Sequence, residues 1–151
     1  MINFYNYENA DSSDLEEVLI RAAEAVLSYH SLPDNTELTI ALESINTIQK
    51  LNNDFLQINE PTDVLSFPSD EFDPDTQSTY IGDVVISKEI AAKQAESAGH
   101  GLICEMQLLV IHGVLHLLGY DHAIEPDKNK MWAVQKIMLE SLNCNIQKYP
   151  E

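Results

Sequence analysis

Residues 102–122 read LICEMQLLVIHGVLHLLGYDH, and the way this stretch folds decides the rest of the chain. Apolar side chains fill most positions from Leu102 to Leu118, which predicts a long, central apolar helix. Its apolar run, residues 106–118, is broken by Gln107, His112, Gly113 and His116, so it is too short and too polar to span a bilayer. Gly119 stands where the helix should stop, because glycine takes the left-handed conformation that turns a chain out of a helix.

Upstream, residues 2–7 alternate as a short strand. Ser12 or Ser13 can cap a helix, with Glu16 three residues beyond Ser13. Leu15, Val18, Leu19, Ala22, Val26 and Leu27 follow at helical spacing. Residues 37–42 alternate Leu38, Ile40 and Leu42 with polar or small residues, a strand pattern. Residues 44–55 read as a helix on Ile45, Ile48, Leu51 and Phe55. Residues 63–67 and 80–86 read as strands, with an acidic loop over residues 69–78 between them. Residues 88–97 are helical. A last helix starts near Pro126, a good first helical residue, and carries Met131, Val134, Ile137, Met138 and Leu142. The order β-α-β-α-β-β-α-α-α predicts one α+β domain over residues 1–151: a sheet of about four strands, of open order, packed with helices.

The chain has 151 residues, enough to bury a core without staples, and its 44% hydrophobic content excludes disorder. Residues 1–9 lack the basic start and apolar run of a signal peptide, so the expected location is cytoplasmic. The two cysteines, Cys104 and Cys144, match no Cys-x-x-Cys pattern and read as buried free thiols in a reducing compartment. A net charge of −17, from 25 acidic and 8 basic residues, lacks the basic footprint of a nucleic-acid binder and argues against DNA as a partner.

Function concentrates in the histidines. His112 and His116 are four apart, so they stand one above the other on one helix face. Three residues after Gly119, His122 can fold back against that face. Three of the five histidines thus fall within eleven residues, on a helix where unsatisfied polar rings are costly. Three imidazoles plus water form a catalytic rather than structural zinc arrangement, and the water can ionise near neutral pH. One Zn2+ per chain is expected, with nickel, copper or another divalent ion also suited to three histidines. The spacing is similar to the metzincin signature H-E-x-x-H-x-x-G-x-x-H, but Gly113 replaces the glutamate that serves as base, which disfavours peptidase activity. Glu105, seven residues before His112 and roughly 10 Å along the axis, is too distant to be a ligand and reads as structural.

The segment HGVLHLLGYDH over residues 112–122 also resembles the signature of the YbeY family of endoribonucleases, or rRNA maturation factors. Residues 61–68 (PTDVLSFP) are similar to the family's second motif, with Leu51-Asn52 preceding it, and residues 81–87 (IGDVVIS) to its strand motif. The likeness runs from about Leu38 to Leu142. It implies a bacterial or organellar single-strand-specific, metal-dependent endoribonuclease acting in 16S rRNA 3′-end maturation and ribosome quality control. It also implies zinc at His112, His116 and His122. The implied partners are single-stranded rRNA and the small ribosomal subunit with its basic proteins, with no membrane. Leu56, after Phe55, stands where the family commonly carries an arginine, which would bind a phosphate.

Asp63 and Ser66 are the candidate catalytic residues: Asp63 can cap or orient, and Ser66 can hydrogen-bond a phosphate. Strand alternation places them on opposite faces, so they need not meet. Asp121 is a candidate partner for an imidazole, and Asp83 a strand cap. The competing function is a ribosome-assembly binding module whose metal is mainly structural. Hydrolysis of another substrate comes third.

Overall fold

The computed structural model describes residues 1–8 and 13–144. Nine elements follow in the order β1 (Ile2–Asn6), α1 (Ser13–Tyr29), β2 (Thr36–Glu43), α2 (Ile45–Leu56), β3 (Val64–Asp73), β4 (Ser78–Ser87), α3 (Lys88–Ala98), α4 (Leu102–Leu117) and α5 (Glu125–Ser141). Of the two candidate caps of α1, Ser12 lies outside the described residues. The sheet order is β1-β2-β4-β3, with β1, β2 and β4 parallel and β3 antiparallel to β4. The expected α+β class holds, and the open strand order is now fixed.

Alternation in the central strands makes two unequal faces. Leu38, Ile40 and Leu42 of β2, with Val84 and Ile86 of β4, turn towards α1, α4 and α5 and form the main core. On the other face Leu65 and Val85 meet only Ile48 of α2 and its neighbours, a much smaller cluster. Helix α4 is buried all round from Glu105 to Leu115, so it is a core element rather than a covering one. Among the described residues no single helix is long and apolar enough to cross a membrane.

Three expectations need correction. The acidic loop over residues 69–78 is mostly a hairpin: β3 continues to Asp73, paired with Ser78 at the start of β4. Pro68 lies at a register shift on this edge strand, where a missing N–H is tolerated, and the acidic side chains beyond it stay in solvent. Cys104 and Cys144 are not free thiols but a disulfide, with Cα atoms 5.6 Å apart. Their separation of 40 residues hides this in the sequence; α5 runs back along α4 and brings them together. In the loop-closure picture such a bridge stabilises by about 4 kcal/mol. Finally, the buried face of α5 is Met131, Val134, Gln135, Met138 and Leu139, while Ile137 is 46% exposed.

One glycine sets how close α4 comes to the sheet. A Cβ on Gly113 would stand 2.5 Å from Val84 Cγ1 and 3.2 Å from Ser66 Oγ. The absent side chain lets Ser66 Oγ donate to Gly113 O at 3.0 Å, pinning helix to strand. Gly113→Ala should therefore destabilise the protein by roughly 1–3 kcal/mol through overpacking. Adding Val84→Ala should recover part of that loss. Denaturant melts of the two single variants and the double variant test this, and simple additivity would show that Gly113 does not work through Val84.

Candidate metal centre

The end of α4 is built to return the chain. Gly119 is left-handed at φ 98°, its N–H donates to His116 O at 3.0 Å, and the Tyr120 N–H donates to Leu115 O at 3.0 Å. This is a glycine-terminated Schellman closure. It directs residues 120–122 back over the last turn. Tyr120 is then held from α1: its hydroxyl donates to His30 Nε2 at 2.8 Å, and the His30 Nδ1–H donates to Val26 O at 2.7 Å. Asp121 Oδ1 accepts the N–H groups of His122 and Ala123, at 2.7 and 3.2 Å. The structure thus uses Asp121 on the loop backbone, not on an imidazole as expected.

These restraints bring His112, His116 and His122 together. Their candidate ligand atoms lie within 4.8 Å of one another. His112 Nε2 and His116 Nε2 are 3.2 Å apart. A tetrahedral zinc with Zn–N bonds of about 2.0–2.1 Å separates its ligands by about 3.3 Å, which the His112–His116 pair matches. The hydrogens fit as well. His116 Nδ1–H donates to Tyr120 O at 2.9 Å, and His112 Nδ1–H donates to Gln135 Oε1 at 2.6 Å. Both Nε2 atoms are therefore bare lone pairs facing each other, an arrangement that a Lewis acid relieves. Burial, opposed by the Gln135 hydrogen bond, pulls the His112 pKa down from 6.5 to about 4. Burial also lowers that of His116. Neutral imidazoles are what a metal requires.

The three rings end a cleft of about 440 Å³ that is also lined by Leu56, Thr62, Asp63, Ser66, Pro68 and Gln94. Both candidate catalytic residues line it, although strand alternation alone kept them apart, because Asp63 lies just outside β3 and is free of its alternation. Asp63 Oδ1 accepts the Val64 N–H at 2.8 Å and the Thr62 hydroxyl at 3.2 Å. The one hydroxyl proton of Ser66 is engaged by Gly113 O. Leu56, 53% exposed, stands on the rim. Asp83 accepts the Tyr80 hydroxyl and lies outside the cleft lining. Glu105 pairs with His100, its Oε1 2.6 Å from His100 Nε2, and burial raises its pKa.

Sequence reasoning missed three neighbours on α5. The Trp132 ring is 5.9 Å from that of His112 and 5.6 Å from that of His122, and Lys128 Nζ lies 5.8 Å from the Trp132 ring. Gln135 is the third. A glutamine at i+4 from Met131 and i−3 from Met138 lies on the apolar face, and that was the available signal.

Comparison with known proteins agrees with this geometry. The family model for endoribonuclease YbeY matches residues 1–143. The chain belongs to the endoribonuclease YbeY family. It is 44% identical over 133 residues to "Endoribonuclease YbeY" of Mycobacterium sp. (strain KMS), covering 83% of this chain and 75% of that one. It is 39% identical over 138 residues to the protein of that name from Parafrankia sp. (strain EAN1pec), covering 85% and 87%. The solution structure of TM1509 from Thermotoga maritima superposes with a TM-score of 0.65 at 29% identity, covering 94% of this chain and 89% of that one. Membership in the YbeY family supports endoribonuclease function, that is, an RNA-cleaving hydrolase. The metal-binding potential rests on the three histidines themselves.

The lowered His112 pKa gives metal-free protein a defined pH dependence. Between about pH 4 and 6.5 His112 is neutral when folded and protonated when unfolded. The unfolded state therefore binds the extra proton, and stability falls as pH drops through that window. The loss should approach about 3 kcal/mol at pH 4. Urea melts of chelator-treated protein measure it, and the slope should flatten in His112→Asn. Equal slopes in both proteins would show that burial of His112 is not its source.

Proposed function

We propose that this chain is a single-strand-specific, metal-dependent endoribonuclease. It acts in the cytoplasm on small-subunit rRNA, in 16S rRNA 3′-end maturation and ribosome quality control. The observation that carries the reading is three imidazoles converging at the end of an open cleft, in a chain of the endoribonuclease YbeY family. His112, His116 and His122 would hold one zinc ion, with nickel or another divalent metal as the alternative. A metal held there supplies Lewis acidity, polarising a phosphoryl oxygen and activating water or a ribose hydroxyl at neutral pH.

The chain's own residues do the rest. Asp63 is the one carboxylate among the described residues lining the cleft, so it is the group that would take the proton of the attacking oxygen. The Val64 N–H and Thr62 hydroxyl hold it by Oδ1. Ser66 fixes the distance between β3 and α4 through Gly113 O. Lys128, over the Trp132 ring beside His112 and His122, and Lys130, 5.8 Å from the Tyr120 ring, are the cations that would meet the phosphates of a bound strand.

A second reading, a ribosome-assembly module with a mainly structural metal, draws on the cleft lining. Among the described residues that lining contains no lysine or arginine, and Leu56 occupies the rim. RNA cleavage by zinc-loaded protein beside His116→Ala separates the two. The nuclease reading expects near one equivalent of zinc by elemental analysis, cleavage lost in His116→Ala, and a loss of about 10²–10⁴-fold in Asp63→Asn with metal retained. A 2′,3′-cyclic phosphate end would mean attack by the ribose 2′-OH. Wild-type cleavage no faster than that of His116→Ala, with metal bound, would leave the module.

Affinity should depend little on salt. Two phosphate contacts on single-stranded RNA give a slope in log K against log salt of about −1.4. Lys128→Ala should make it shallower by about 0.7, and Leu56→Arg should tighten binding by adding a phosphate contact at the rim. Binding to isolated RNA is then weak, and recruitment relies on the small subunit and its basic proteins. Tight, steeply salt-dependent binding that ignores both substitutions would place the RNA elsewhere.

A further inference from the structure

Gln135 is a fully buried residue, and its Nε2 is the one buried side-chain polar atom left without a partner among the described residues. An apolar side chain of similar size would fill the same space with no orphaned donor. Its other amide atom, Oε1, takes the Nδ1–H of His112 at 2.6 Å. The structure assigns Gln135 as a positioning residue that selects the metal-receptive tautomer of His112.

The argument rests on which ring nitrogens have a choice. His116 Nδ1 faces the carbonyl oxygen of Tyr120, which can only accept. The His116 hydrogen is therefore on Nδ1, and its Nε2 is a bare lone pair. His112 has no such restriction except from Gln135. With Oε1 facing it, His112 carries its hydrogen on Nδ1 and presents a second lone pair 3.2 Å from the first. If the amide faced it with Nε2 instead, His112 Nδ1 would accept, and the ring hydrogen would move to Nε2. His112 Nε2–H would then donate to His116 Nε2, and the two ligand atoms would satisfy each other with no place for a metal. Whichever way the amide faces, its other atom lacks a partner, so the orphan is the cost of spending a buried amide on His112.

A carboxylate there would also accept from Nδ1, but it would add a charge to the imidazole and strengthen it as a donor to the metal. Glutamine fixes the tautomer and leaves the ligand neutral, which keeps the metal electrophilic. The metal part of this inference rests on the proposed metal-dependent function; the tautomer part does not.

The test uses metal-free and zinc-loaded protein with Gln135→Met and Gln135→Glu. In metal-free protein, nitrogen-15 NMR of the His112 ring should show Nδ1–H in the wild type and Nε2–H in Gln135→Met. Zinc affinity, read by competition with a chromogenic chelator, should fall about 10–100-fold in Gln135→Met. Gln135→Glu should restore it, with slower RNA cleavage. The melting temperature of metal-free Gln135→Met should stay level or rise, since the orphaned amide is gone. The same tautomer in both proteins, or unchanged zinc affinity, would overturn the assignment. So would a fall in affinity matched by a lower metal-free melting temperature, which would make Gln135 a packing residue. Failure of the wild type to bind zinc would defeat the metal reading alone, and the tautomer measurement would still decide the role of Gln135.

Discussion

The backbone of α4 touches the sheet at Gly113, and the site's geometry depends on that contact. With no side chain between them, Val84 and Ser66 come against the helix itself. His112 precedes the contact and His116 lies one turn after the former, so both rings emerge at the β3 edge of the helix rather than in the middle of the core. The same contact settles what the site cannot contain. A glutamate at position 113, where a metzincin carries its base, would run into Val84. The helix thus supplies ligands and no carboxylate, and the cleft's carboxylate comes from the sheet side, as Asp63.

The rest of the centre is held by contacts that need no metal. The Gly119 closure, the His30–Tyr120 hydrogen bond and the Tyr120 carbonyl place His116 and the returning loop. Helix α5, tethered to the start of α4 by the Cys104–Cys144 bridge, brings Gln135 and Trp132 against His112. A centre with this much support is preorganised, and the main core lies elsewhere, between β2, β4 and the helices. Removing a metal from such a domain lowers its stability without dissolving it, unlike the loss of zinc from a small finger.

Most of this was legible in the sequence where one physical rule acted alone. Alternation of Leu38, Ile40 and Leu42 marked the central strand, and the i, i+4 histidines with a glycine stop marked the centre. The failures came where two rules competed. Pro68 and the acids after it argue for a loop, yet pairing with β4 satisfies their backbone while an edge strand leaves their side chains in water. On α5, Ile137 looked like a core residue, and nothing singled out Gln135. The face is set by packing on α4, which exposes the isoleucine and buries an amide that hydrogen-bonds His112. Composition cannot signal such an exchange. The disulfide was hidden because pairing follows from α5 folding back on α4, not from spacing.

The acidity of the chain weighs less on the cleft than its net charge of −17 suggests. The acidic residues after Pro68 lie progressively farther from the centre, because β3 runs on past the cleft to Asp73. Seven residues separate Ser66, which lines the cleft, from Asp73, which lines a separate pocket with Glu71. At a strand rise of about 3.3 Å per residue that puts Asp73 roughly 20 Å from Ser66, well beyond a Debye length of about 8 Å at physiological ionic strength, while Asp70, two residues after the cleft residue Pro68, stays within it. Nor are all the cations remote from the centre: Lys128 is held over Trp132, the ring that borders His112 and His122. Around the histidines the charges are mixed, with Asp63 in the cleft lining and Lys128 over Trp132, rather than uniformly acidic. The global field opposes distant encounter with RNA, most strongly in dilute salt, while the near field of α5 favours a strand already delivered. Under the proposed function, that division would suit an enzyme brought to its substrate by a partner better than one that must capture free RNA from solution.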